Sequence, residues 1–119
     1  MPIHWSTDDS PHFEFVRSEA NVRQGLQNGG DVLDKWVREC LCMKQAAELS
    51  VLTYACHPFI IGLGHRIMML ENLIRRILDD SGVFQRVDET VDEVRVRLAA
   101  GVTGYAVAAS FLMMCVHSR

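Results

Sequence analysis

Positive charge is not in excess in this sequence: 12 Lys and Arg stand against 15 Asp and Glu, for a formal charge of −3. A grip on DNA made of phosphate contacts needs a dense cationic surface, so direct nucleic-acid binding is not expected. Cysteine is scarce, and Cys40, Cys42, Cys56 and Cys115 are irregularly spaced. That is too little for a disulfide-stapled secreted module, and reduced thiols are expected. The first nine residues include His4, Asp8 and Asp9 and have neither a cationic nor an apolar region, so no signal peptide and a cytoplasmic setting are expected. Internal repeats are missing as well. What is present is 49% apolar and 23% charged residues over 119 positions, the balance of a single globular domain spanning 1–119 with an N-terminal arm over 1–17.

The arm is polar and proline-punctuated as far as Pro11, and His12-Phe13-Glu14-Phe15-Val16 then alternates like a short extended segment. Ser18 and Glu19 form an N-terminal helix signal, which predicts a helix over 19–28 stopped by Asn28-Gly29-Gly30. From Asp31, the positions Val32, Leu33, Trp36, Val37, Cys40, Leu41, Ala47, Val51 and Leu52 recur at three- and four-residue steps, predicting a helix of about six turns. His57-Pro58 ends it. Ile60, Leu63, Ile67, Leu70, Ile74 and Ile77 then make a heptad seam that predicts a helix over 58–79, and Asp79-Asp80-Ser81-Gly82 breaks the chain. The same rhythm from Phe84 to Cys115 predicts one long helix, or two meeting near Gly101. The fold class expected is all-α, with three main helices in a bundle.

From Leu98 to Val116 no residue is charged, and apolar side chains lie nearly all round a helix drawn through them. Such a helix has to be enclosed by a core, a partner or lipid. An interface is the leading expectation, because Gly101, Gly104, Ala108 and Ala109 permit close approach and Phe111, Met113 and Met114 supply adaptable contacts. The alternatives are a central core helix and a C-terminal membrane anchor. Partner-binding residues are expected at Val107, Phe111, Met113, Met114, Val116 and His117, and a homodimer interface at Leu98, Gly101, Tyr105, Ala108 and Leu112.

Catalytic and metal constellations are weak. Cys40 and Cys42 point to different sides of a helix and cannot clamp one zinc ion. Cys56, His57 and His65 form only a loose set, and no elbow or oxyanion loop accompanies a Cys-His pair. Gly62-Leu63-Gly64 lacks the strand-turn-helix context of a phosphate loop. The paired acids Asp8-Asp9, Asp79-Asp80 and Asp88-Glu89 suit turns and helix starts. The arginines Arg66, Arg75, Arg76, Arg86, Arg95 and Arg97 read as solvated faces or an interface rim. No metal and no cofactor are expected.

A small acidic chain, aromatic residues Phe13 and Phe15 in an extended arm, two long helices meeting at His57-Pro58, and an apolar end Phe111-Leu112-Met113-Met114-Cys115-Val116 occur together. In plan and length this resembles the small bacterial anti-activators of LuxR-type quorum-sensing receptors, the QslA type. The resemblance implies a homodimeric, non-enzymatic helical protein that binds a LuxR-type transcriptional regulator and blocks its dimerisation and DNA binding. The readings from other classes are a redox- or metal-responsive helical protein using Cys56, His57, His65 and Cys115, and a small membrane-anchored protein.

Overall fold

The computed structural model describes residues 4–23, 25–46, 51–101 and 108–113. In chain order these form a 3-10 turn (Trp5–Thr7), α1 (Ser10–Phe13), β1 (Val16–Arg17), β2 (Val22–Arg23), α2 (Gly29–Ala46), β3 (Leu52–Cys56), α3 (Pro58–Ile61), α4 (Gly64–Asp79), β4 (Val83–Gln85), α5 (Val87–Ala99) and β5 (Ala108–Met113). Helix predominates, as expected. The all-α three-helix bundle is corrected, because the chain also builds a parallel sheet of order β3-β5-β4. Leu52 to Cys56 lie opposite Ala109 to Met113, and Val83 to Gln85 lie opposite Ala108 to Ser110.

Three segments with a helical reading are not helices, each for a physical reason. At 19–28 the Ser18 hydroxyl does accept a backbone N–H, that of Asn21 at 3.0 Å, and the Ser18 N–H donates to the Asn21 carbonyl at 2.8 Å. Those bonds close the turn of the antiparallel β1-β2 pair instead of starting a helix. At 52–56 every residue is buried, so the strand shows no alternation and periodicity cannot tell it from a buried helix. At 98–116, α5 stops at Ala99, Gly101 turns the chain at φ +79°, and 108–113 is the central strand of the sheet. Parallel strands commonly read as continuous apolar runs without alternation. An uncharged run therefore suits a central strand as well as an enclosed helix.

The punctuation signals fared better. Pro58 is the first residue of α3 and α4 ends at Asp79, but Gly29 and Gly30, read as a stop before an Asp31 cap, are the first residues of α2. The helix expected over 58–79 is split after one turn. The Gly62 N–H closes α3 on the Pro58 carbonyl, and a Cβ at Gly62 would stand 2.4 Å from that oxygen.

One core joins Val32, Leu33 and Trp36 of α2, Tyr54 of β3, and Leu73 and Ile77 of α4. Burying such side chains contributes about 1.5–3 kcal/mol each. The N-terminal arm is seated on this core over residues 4–13, in place of the flexible arm expected over 1–11. Ser6 supplies the reason: its carbonyl accepts the Trp36 indole N–H at 2.7 Å and meets His12 Nε2 at 2.9 Å. Asp8 forms a parallel bridge with Ala55, and the Asp9 N–H donates to the Ala55 carbonyl at 3.0 Å. The arm thus runs along the edge of β3 and brings its acids to the strand's C-terminal end.

Candidate functional site

Just past that end lies His57. In parallel α/β sheets, ligands are taken up beyond the carboxyl ends of the strands, so the position is suited to chemistry. Proline at 58 forces His57 into extended backbone, φ −95° and ψ 126°, as the residue that caps α3. Asp9 holds the corresponding place before α1. The two caps face one another. Asp9 Oδ2 accepts the backbone N–H of His57 at 2.8 Å, and Asp9 Oδ1 meets the imidazole Nδ1 at 2.6 Å. Asp9 therefore satisfies an orphan donor at the start of α3 while orienting the ring that follows strand β3.

Asp9 is fully buried, which is tolerable for a carboxylate only when it is paired and hydrogen-bonded. With a carboxylate at Nδ1, the proton sits on that nitrogen and Nε2 is left as the working atom. Among the described residues Nε2 has no hydrogen-bond partner, and 22% of the side chain is exposed. The hydrogen bond to Asp9 holds the imidazole above its ordinary value; partial burial opposes this, and the charges of Asp9, Asp8 and Glu14 reinforce it. Burial pushes the Asp9 carboxyl up, and the bonds and charge of His57 pull it back only in part. Phe59, largely exposed, leans on the ring at a centroid distance of 5.6 Å and forms an apolar rim.

Asp8, Asp9 and His57 are the one group of three potential metal ligands among the described residues, with donor atoms within 4.8 Å of one another. The hydrogen bonds argue against that use. His57 Nδ1 gives its proton to Asp9, the second Asp9 oxygen holds a backbone N–H, and Asp8 Oδ1 accepts the Ser10 N–H at 2.8 Å. A cation held at Nδ1 would have to displace the proton that binds His57 to Asp9. Cys56 is no nucleophile, since burial, with Asp9 and Asp8 adding to it, pushes its thiol up to about 12.

The structure distributes the residues expected at an interface along the last part of the chain. Leu98 is exposed on α5, and Gly101 lies in the turn after it. Ala108, Phe111, Leu112 and Met113 lie in β5, whose backbone is paired with β3, while Tyr105, Val107, Met114, Val116 and His117 lie outside the described residues. Cys40 is buried and Cys42 exposed, the divergence expected for a helix. His65 lies on α4 beside a groove lined by Gly29, Gly30, Met68 and Asn72, and is not part of the His57 cluster. Asp9 escaped sequence reasoning as a site residue. It reads as one of two acids in a polar turn, and its partner is 48 positions away. The only local signal was His57-Pro58.

The chain matches no family model, no curated protein and no solved structure. Among the described residues no helix is long and apolar enough to cross a membrane.

Proposed function

We propose that this chain carries the acid side of a hydrolytic site: water adds to an acyl carbon, its bond to nitrogen or oxygen breaks, and His57, oriented by Asp9, gives its Nε2 proton to the departing amine or alkoxide and regains one from the water. One observation carries the reading, the buried Asp9 carboxylate spanning the backbone N–H and the Nδ1 of His57. Such a carboxylate fixes the tautomer and stabilises the imidazolium, so the ring stays protonated toward higher pH than a free histidine. An amine departs poorly unless it is protonated, and a persistent imidazolium suits it. The site differs from the non-enzymatic regulator implied by resemblance in using residues that no local motif joins.

The test exploits the leaving group. Acetanilide and p-nitrophenyl acetate share an acyl group, but only the first needs its leaving nitrogen protonated. His57→Gln should lower hydrolysis of the anilide by about 10²–10⁴-fold, the usual contribution of a general acid, and change the aryl ester far less. Equal losses on both, or no wild-type turnover of the anilide, would overturn the assignment.

A second reading, a regulator that docks on another protein, draws support from Ile67, Met68 and Leu78 of α4 and Leu63 just before it, all exposed. Patches of this kind favour association. That reading expects His57→Gln to behave as wild type.

A further inference from the structure

Arg66 is buried at 7% exposure on the first turn of α4. Its Nη1 donates to the Ile60 carbonyl at 2.7 Å, its Cζ lies 4.7 Å from the centre of the Phe13 ring, and its Nε has no partner. Among the described residues no carboxylate neutralises it. A buried guanidinium with one idle donor is a poor way to fill a core, where an apolar side chain of the same volume does as well or better. What arginine alone offers is a flat cation that stacks by its face and donates from its edge.

Here the face and the edge meet different elements. Phe13 ends α1, whose first carbonyl, that of Asp9, accepts the Phe13 N–H at 3.0 Å. Ile60 belongs to α3, and its N–H donates to the His57 carbonyl at 2.9 Å. Each helix is a single turn, too short to hold its own shape, and each is preceded by one member of the Asp9–His57 pair. We infer that Arg66 is a positioning residue: it ties α1 to α3 and so sets the separation at which Asp9 grips His57. The claim rests on the acid reading of that pair, and a catalytic hydrogen bond loses much of its effect when its partners shift by about 1 Å.

The experiment is proton and nitrogen NMR of the full chain, following the low-field Nδ1–H signal of His57 and the titration of its ring. In Arg66→Met the signal should disappear into exchange and the titration should move down toward that of a free histidine, with far-ultraviolet helix content retained. Arg66→Lys, which keeps a cation and a donor, should recover part of the shift, and Phe13→Leu, which removes the stacking face, should reproduce part of the loss. A folded Arg66→Met with the wild-type signal and titration would overturn the inference. Should Arg66→Met fail to fold, an unmoved titration in both other variants would overturn it equally. A wild-type chain with no low-field signal would instead sink the Asp9–His57 reading itself.

Discussion

The α2–α4 pair and the α1–α3 junction are built on opposite principles. α2 and α4 are long enough to satisfy most of their own backbone, and they bury apolar stripes such as Val32, Leu33, Trp36 and Cys40 against Met69, Leu73 and Ile77. The ion pair that joins them, Arg76 with Asp34 at 3.1 Å, is exposed. The junction has two four-residue helices, a buried carboxylate bonded to a residue 48 positions away, and a buried guanidinium bonded to a carbonyl six positions back. Apolar contacts carry no direction, whereas a buried hydrogen bond fixes the position and orientation of both its partners. The first region supplies stability, and the second supplies a histidine held in one orientation.

If that division is correct, the regions respond differently to mutation. Leu73→Ala, at a fully buried position of α4, should cost about 2–5 kcal/mol in chemical denaturation while leaving the His57 titration of the remaining folded protein unchanged. A shift in that titration would show that the regions are not separable. Asp9→Asn should cost less, about 1–3 kcal/mol, but with a signature in pH. Both His57 and Asp9 hold protons more tightly when folded, so the native state binds more protons and stability falls as pH rises. The share of His57 is whole below about pH 6.5 and is lost as pH climbs through its higher native value. Thermal melts across that interval should show the decline in wild type and a flatter profile in Asp9→Asn; the same slope in both would refute the pairing. Arg76→Ala, losing an ion pair that is half exposed on both sides, should cost about 0–1 kcal/mol and less in high salt. A larger, salt-independent loss would move this contact from the surface into the core.

The stripes of α2 and α4 could be read from the sequence because helical period and burial agree there. So could the breaks at Pro58 and Asp79, whereas Gly29 and Gly30, read as a helix stop, form the first turn of α2. β3 and β5 could not. Leu-Thr-Tyr-Ala-Cys has no alternation when buried throughout, and the uncharged stretch from Leu98 fits a central strand as well as an enclosed helix. Of the site, His57 stood out through its proline. Asp9 and Arg66 looked like a turn acid and a surface cation, because burial is not written in either residue.

The sequence by itself determined a mostly helical chain with an apolar C-terminal part, since amphipathic spacing and punctuation act over a few residues. Only the tertiary structure decided that the apolar part joins a parallel sheet and that the arm lies along its edge. Strand pairing and the meeting of Asp9 with His57 are long-range events. Their energies come from contacts between segments that carry no mark of one another in the linear order.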